Sequence, residues 1–198
     1  MESLENDRVK ITVNPKGAEL TSLYDKTSGT EYMWSGDAAF WGKHSHVLFP
    51  IVGTLKDDQY FYEGKWYESG RHGFARERIF TVNREQKDRL TFTLVSDEHS
   101  LQQFPFLFRF EIMYQLQNEE LSVSYRVVNT GETNLYFSVG GHPAFRLPIE
   151  PNTAYADYYL EFEEEENAGR WPISKDGLIE SMPLPFLQGK KLPLNKSL

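Results

Sequence analysis

The chain of 198 residues contains no cysteine, which excludes disulfide bonds, thiolate nucleophiles and cysteine-ligated zinc sites. Long apolar runs are also absent: the longest covers about residues 47–53, far short of the roughly 18 residues that a membrane-spanning helix needs. Basic side chains are in the minority, since 21 Lys and Arg against 29 Asp and Glu give a net charge of −8. From these features, the protein is predicted to bind neither nucleic acid nor a membrane. The polar, acidic N-terminus has no secretory pattern, so the predicted location is cytoplasmic.

Motifs for several common chemistries are missing as well. The sequence has no Gly-x-Ser-x-Gly nucleophile elbow, no Walker-type phosphate loop and no dinucleotide-binding fingerprint. Helical periodicity is nearly absent, and the one short candidate helix covers residues 96–103 with Ser96 as its N-cap. Regular structure must therefore come mainly from β-strands.

Alternation of apolar and polar residues is what the sequence has in abundance. Val9, Ile11 and Val13 alternate with polar residues, which places the three apolar side chains on one face of a strand. Residues 79–95 are predicted to form a hairpin around a polar loop at residues 83–89. An antiparallel meander is predicted farther along, with strands at residues 108–116, 121–128 and 135–139. The sequence therefore predicts an all-β fold, a large antiparallel β-sandwich.

The five histidines are the natural candidates for acid–base chemistry, because imidazole exchanges protons near neutral pH. His44 and His46 are two residues apart, so a strand would place both rings on one face, as in some metal-binding β-barrels. A mononuclear metal site needs a third ligand, and no carboxylate occurs within residues 47–56. Polar histidines at a strand edge are therefore the favoured interpretation of this pair. His99 falls in the candidate helix and is predicted to be exposed.

His72 and His142 lie in unusual surroundings. His72 stands in Gly-Arg-His-Gly-Phe-Ala-Arg at residues 70–76, and His142 in Val-Gly-Gly-His-Pro-Ala-Phe at residues 139–145. Glycines beside a histidine allow a ligand or another backbone segment to approach closely, and loops on a rigid sheet often carry reactive side chains. Each histidine is therefore either a reactive residue or part of a structural turn in which the imidazole bonds to nearby backbone.

These two histidine motifs, in this order, resemble those of the aldose 1-epimerase (galactose mutarotase) family, and most of all its bacterial LacX-like branch. The matching segments begin near Ile11 and are spread along the chain: Phe-Pro-Ile-Val-Gly at 49–53, Gly-Lys-Trp-Tyr at 64–67, Arg-His-Gly-Phe-Ala-Arg at 71–76, Phe-Pro-Phe at 104–106, Val-Ser-Tyr-Arg-Val-Val-Asn at 123–129 and Gly-Gly-His-Pro-Ala-Phe at 140–145. The resemblance implies the galactose mutarotase-like supersandwich, with residues 1–198 as a single aldose 1-epimerase-like domain.

The resemblance also implies an activity and roles for three residues. The family interconverts the α and β anomers of an aldose by acid–base ring opening, with no cofactor and no metal. By resemblance, His142 matches the acid that addresses the ring oxygen, and His72 matches a histidine that hydrogen-bonds the sugar and helps to polarise that oxygen. Arg76 is a candidate contact for a sugar hydroxyl or an anion. The implied partner is a small aldose, free or phosphorylated, and the sequence leaves the oligomeric state open.

Two departures from the family pattern keep alternatives open. Many relatives carry an arginine directly after the glycine of the Val-x-Gly stretch, where this chain has Thr54, and Arg71, Arg76 or Lys56 could supply that contact. The family's base is a glutamate near the C-terminus, and no glutamate of this sequence matches its motif. We therefore expect a fold that is incomplete at its C-terminus.

Three functional hypotheses remain at this point. The first is an aldose 1-epimerase-type isomerase, with His142 and His72 in its acid half. The second is a non-catalytic carbohydrate-binding protein of the same fold, because aromatic faces and polar groups would serve binding equally well. The third is a metal-dependent β-barrel that uses His44 and His46.

Overall fold

A computed structural model describes residues 1–195, apart from the side chain of Glu85. The strands are β1 (Glu2–Glu5), β2 (Val9–Asn14), β3 (Glu19–Asp25), β4 (Thr30–Glu31), β5 (Ser45–Leu48), β6 (Gln59–Tyr62), β7 (Lys65–Glu68), β8 (Thr81–Gln86), β9 (Arg89–Val95), β10 (Phe108–Gln117), β11 (Glu120–Asn129), β12 (Gly140–Pro143), β13 (Tyr159–Glu166), β14 (Gly169–Arg170), β15 (Leu184–Pro185) and β16 (Gly189–Pro193). The helix α1 covers Glu98–Gln103, and short 3-10 turns cover Lys56–Asp58, Ala75–Glu77 and Tyr155–Asp157. No helix within residues 1–195 is long and apolar enough to cross a membrane.

The chain divides into two compact units, the first Met1–Arg146 and the second starting at Leu147. The first contains two four-stranded sheets, in the orders β1-β2-β3-β4 and β11-β10-β9-β8, together with the pairs β5–β12 and β6–β7. The second contains the pairs β13–β16 and β14–β15. Every pair of these strands is antiparallel, so the predicted antiparallel all-β architecture is confirmed. A single domain over residues 1–198 stays a prediction.

The core of the first unit follows from period-two alternation. Val9, Ile11 and Val13 of β2 are buried on one face, as predicted. In β10 every second residue from Phe108 to Leu116 is buried, and the residues between them are half-buried. Side chains from both four-stranded sheets join one hydrophobic cluster, so the two sheets face each other across it.

Phe49 lies at the centre of this cluster, directly after β5. Its ring is fully buried and lies 4.5 Å from the ring of Phe110 and 5.1 Å from that of Phe108, between centroids. Burial of such a side chain contributes roughly 1.5–3 kcal/mol to stability. The packing therefore fixes the backbone where β5 ends. Residues of β5 and of the segment after it position the site described below.

The prediction of a third meander strand at residues 135–139 is wrong. The structure describes these residues without strand pairing, and the amide of Ser138 donates to the carbonyl oxygen of Pro50. Leu135 and Val139 nevertheless pack against the core. Apolar alternation thus correctly indicated burial at these positions, but the backbone partner of the segment is a loop and not β11.

Two smaller boundaries also differ from the prediction. The polar loop expected at residues 83–89 is mostly strand, because β8 extends to Gln86 and β9 begins at Arg89. The N-cap of α1 is Asp97 rather than Ser96: its Oδ1 accepts from the amide of Ser100 at 2.8 Å, and the Ser100 hydroxyl accepts from the amide of Asp97 at 2.8 Å. This reciprocal pair satisfies two free amides at once, which a cap at Ser96 would not do.

Candidate active site

His142 is placed by the pairing of two short strands. In the register of β12 with β5, His142 lies directly opposite His46. Residues opposite each other in an antiparallel pair point to the same face, and the two rings stack with centroids 4.8 Å apart and planes 18° apart. Gly141 permits this arrangement, because a Cβ there would lie 2.7 Å from the hydroxyl oxygen of Tyr125.

His72 is placed by a tight turn that is bonded to the segment after β5. Its amide donates to the carbonyl oxygen of Gly53 at 2.8 Å, and the amide of Gly53 donates to His72 Nδ1 at 2.9 Å. His72 and Gly73 both have left-handed backbones, with φ of +66° and +67°. A Cβ on Gly73 would clash with the carbonyl oxygen of Phe49, so only glycine fits that position. A histidine with positive φ is uncommon and marks a position that its surroundings hold in place.

These two placements bring three imidazoles together. The His72 ring centroid lies 6.1 Å from that of His46 and 6.3 Å from that of His142. The ring of Trp41 completes the group, at 5.1 Å from His142 and 5.4 Å from His46. His142 is exposed, His72 is half-buried and His46 is buried, so the cluster has an open side at His142. We call these four side chains the histidine cluster.

The tautomer of His72 follows from its hydrogen bonds. Because the amide of Gly53 donates to Nδ1, neutral His72 carries its proton on Nε2. The Nε–H of Arg71 points at Nε2 as a donor, at 3.2 Å. A neutral imidazole has only one acceptor nitrogen, and the Gly53 bond is shorter and comes from the backbone, so it sets the tautomer; a proton on Nε2 then requires the exposed Arg71 side chain to turn away. Burial lowers the pKa of His72, and the charges of Arg71, Arg76 and His142 lower it further. His72 is therefore suited to donate a hydrogen bond in its uncharged form.

His46 is uncharged for a similar reason. Burial lowers its pKa to about 4, and the positive charges of His142, Arg76, His72 and Lys43 act in the same direction. Only 4% of the residue is exposed, and neither ring nitrogen has a hydrogen-bond partner among the residues that the structure describes. At neutral pH this ring is a neutral imidazole with one free donor and one free acceptor.

Arg76, the candidate contact for a sugar hydroxyl or an anion, lies next to the histidine cluster. It belongs to the 3-10 turn that follows Gly73, and one guanidinium nitrogen donates to the carbonyl oxygen of Arg71 at 2.9 Å. Its positive charge acts on both His46 and His72. Of the three residues predicted to substitute for the arginine missing at Thr54, Arg71 and Arg76 flank His72, whereas Lys56 is exposed on a separate 3-10 turn.

The pair His44 and His46 turns out differently from its favoured interpretation. His46 is buried in the cluster and is not a polar strand-edge residue, whereas the ring of His44 lies against Gly36. Within residues 1–195 no three His, Cys, Asp or Glu side chains form a group that could hold a metal ion. His99 is exposed on α1, as predicted.

Sequence reasoning missed Trp41 and the place of His46. The sequence did indicate that His46 is buried, because this histidine directly precedes the apolar residues of β5. Its partner could not be identified without the register of β5 against β12.

The profile of one protein family, described as aldose 1-epimerase, matches residues 2–173 of the chain. The chain belongs to the aldose 1-epimerase family. Its curated relatives include the chromosomal and plasmid forms of Protein LacX from Lactococcus lactis subsp. lactis. Each is 32% identical over 205 residues, which cover 98% of this chain and 68% of the relative.

Solved structures of the family share the fold. A galactose mutarotase related enzyme from Lactobacillus acidophilus matches with a TM-score of 0.88 and 35% identity, covering 100% of this chain and 66% of that one. A galactose mutarotase-like protein from Lactobacillus casei matches with a TM-score of 0.86 and 35% identity, covering 98% and 67% respectively. The predicted galactose mutarotase-like fold is therefore confirmed, and the chain spans about two thirds of the length of these relatives.

Proposed function

We propose that this member of the aldose 1-epimerase family interconverts the α and β anomers of an aldose. The observation that supports the proposal is the convergence of an exposed imidazole, His142, with an uncharged, half-buried one, His72, whose rings lie 6.3 Å apart. An exposed histidine can exchange protons with solvent between turnovers, and a fixed neutral histidine can hold a sugar oxygen. No step of the reaction requires a cofactor.

The proposed mechanism begins with ring opening. Protonated His142 gives its proton to the ring oxygen while the anomeric hydroxyl loses a proton to a base. The bond between C1 and the ring oxygen breaks, and the electron pair of the hydroxyl forms the aldehyde. Rotation about C1–C2 and the reverse proton transfers close the ring as the other anomer. We assign the base to no side chain of residues 1–198.

In this mechanism the other site residues bind and orient the sugar. The Nε2 proton of His72 is directed to a sugar oxygen near the ring oxygen, and it helps to polarise the bond that breaks. Arg76 contacts a sugar hydroxyl or, in a phosphorylated aldose, an anionic oxygen. Because the guanidinium bonds an anionic phosphate oxygen more strongly than an uncharged hydroxyl, Arg76 would favour the phosphorylated substrate if both were present.

The test is the rate at which freshly dissolved α-D-glucose and α-D-galactose reach anomeric equilibrium, followed by polarimetry or proton NMR. We expect the wild-type chain to exceed the buffer rate and His142→Gln to reduce the enzymatic rate by about 10²–10⁴-fold, because a positioned proton donor is removed. His99→Gln is the matched control, since His99 is exposed on α1, and it should keep the wild-type rate. An unchanged rate in His142→Gln would refute the acid assignment.

A non-catalytic carbohydrate-binding protein is the second candidate function. It is favoured by one observation: the ring of Trp41 lies beside the imidazoles of His142 and His46, and an aromatic face next to hydrogen-bonding groups also suits a site that only binds a sugar. Anomer exchange at the buffer rate, together with saturable sugar binding, would support it. Since the family profile crosses the boundary between the two compact units, we also propose that residues 1–198 belong to a single domain.

A further inference from the structure

His46 is a buried polar side chain for which the protein provides no partner. Both ring nitrogens are buried, and neither has a hydrogen-bond partner among the described residues. Buried polar atoms without partners reduce stability, and an apolar ring of similar size would fill the same space without that cost. A histidine at this position therefore requires an explanation beyond packing.

The position of His46 relates it to the candidate active site. Its ring is stacked on the exposed ring of His142, at 4.8 Å, and also contacts His72 and Trp41. A molecule held by His142 and His72 would therefore lie close to the His46 ring. Because both His46 nitrogens are buried in the structure, a polar group of that molecule reaches them only when the exposed His142 ring shifts as the molecule binds.

The charges around His46 define the chemistry of a partner. Burial, and after it the positive charges of His142, Arg76, His72 and Lys43, keep His46 neutral, with a pKa of about 4. A neutral imidazole offers one N–H donor and one nitrogen acceptor. A hydroxyl group is likewise both donor and acceptor, whereas a metal ion would need further ligands, and within residues 1–195 no suitable group of three exists.

We propose that His46 is a third hydrogen-bonding imidazole of the sugar site, which binds a hydroxyl of an aldose held against His142 and His72. This inference rests on the proposed function, because it takes the ligand to be an aldose. His46 then determines affinity and the choice among sugars that differ at that hydroxyl, while His142 carries out the proton transfer.

The experiment compares His46→Phe, His46→Gln and the control His99→Phe. Phenylalanine keeps a ring to stack on His142 but has no hydrogen-bonding atom, whereas glutamine keeps a donor and an acceptor without the ring. Binding of D-glucose and D-galactose is measured by titration followed by NMR, and KM and kcat are measured from anomer exchange. Thermal unfolding confirms that each variant is folded.

We expect His46→Phe to raise the Kd and KM for one or both sugars by about three- to tenfold, the usual worth of a neutral hydrogen bond. Its kcat should stay within about threefold of wild type, because the acid His142 and its stacking surface remain. His46→Gln should recover part of the lost affinity, and His99→Phe should change neither constant.

Two results would overturn the proposal. Unchanged Kd and KM in a folded His46→Phe variant would make His46 a packing residue, and a fall in kcat with unchanged KM would make it a positioning residue for His142. If His46→Phe does not fold, His46→Leu, which also lacks a hydrogen-bonding atom, is judged by the same constants: a raised Kd for either sugar supports the proposal, and an unchanged Kd overturns it. Should the wild-type chain bind sugar without exchanging anomers, the proposed function fails while the Kd comparison still tests His46.

Discussion

His142 and His72 are the same kind of side chain, placed by opposite means. His142 lies on a strand, and pairing with β5 and stacking on His46 position its ring on an exposed surface. His72 lies in a left-handed turn, and a backbone amide fixes its ring in one tautomer. The difference suits different tasks: a proton donor must be reached by solvent, whereas a binding group needs a constant direction for its N–H.

The two placements should respond very differently to an added methyl group. In Gly73→Ala the new Cβ meets the backbone of Phe49, and the residue must keep a φ of +67°, so we expect a loss of about 3 kcal/mol or more in the free energy of unfolding. In Gly141→Ala the Cβ meets the hydroxyl end of Tyr125, which can move, and we expect a loss of about 1 kcal/mol. Urea denaturation of both variants measures the difference.

The double variant Gly141→Ala with Tyr125→Phe sharpens this prediction. Tyr125→Phe removes the hydroxyl oxygen that would lie 2.7 Å from the alanine Cβ, so it should restore most of the stability lost in Gly141→Ala. Equal losses in Gly73→Ala and Gly141→Ala would contradict the view that the His72 turn is the more rigid of the two placements.

His46, whose ring stacks on that of His142, should make the stability of the protein depend on pH. The pKa of His46 is about 4 in the folded protein, against an ordinary value of 6.5. Between these pH values the unfolded chain binds a proton that the folded protein excludes. The contribution of the neutral His46 side chain to the free energy of unfolding is therefore full above about pH 6.5 and is lost as the pH falls towards 4. We expect the free energy of unfolding to fall by about 2–3 kcal/mol more in wild type than in His46→Phe between pH 7 and 4.

Denaturation curves at several pH values measure this difference. The pKa of His72 is also lowered. Because His72 is present in both proteins, its effect on the free energy of unfolding cancels in the comparison. Parallel pH profiles for wild type and His46→Phe would show that His46 is protonated in the folded state at the same pH as in the unfolded chain.

His72 itself allows its two roles to be separated. Asparagine tolerates a left-handed backbone, and its side-chain oxygen can accept the Gly53 amide in place of Nδ1, so His72→Asn should keep stability to within about 0.5 kcal/mol. His72→Ala removes the acceptor and should cost about 1 kcal/mol. Both variants lack the Nε2 donor, so both should raise KM by about tenfold, a smaller effect than that of His142→Gln.

A KM for His72→Asn equal to that of wild type would assign His72 to the turn alone. The same polarimetric assay that tests His142→Gln gives both constants. The comparison of His72→Asn with His72→Ala then separates the structural contribution of the imidazole from its contact with the sugar.

Much of the fold could be predicted because alternation along a strand depends only on local sequence. The buried faces of β2 and β10 follow directly from it. Residues 135–139 show the limit of this reasoning: their apolar side chains are recognisable, but whether a segment pairs with a strand or a loop depends on distant backbone. The N-cap at Asp97 likewise depended on a choice between adjacent residues, which the contact with Ser100 decides.

The site was predictable to a similar degree. Glycines beside His72 and His142 indicated close approach, and both approaches are present, at Phe49 and at Tyr125. His46 could not be related to His142, because their sequence separation of almost half the chain is bridged only by the register of β12 with β5. Trp41 lies outside any strand and has no motif of its own.

Phe49 joins the core to the site in a way that affects how the protein opens. Its ring lies in the aromatic core, its amide donates to the carbonyl oxygen of His72, and its own carbonyl oxygen accepts from the amides of Phe74 and Ala75. The turn that carries His72 cannot detach without breaking these bonds at a residue that is itself held by the core. The amide protons of Phe49, Phe74 and Ala75 should therefore exchange with deuterium only when the whole first unit unfolds.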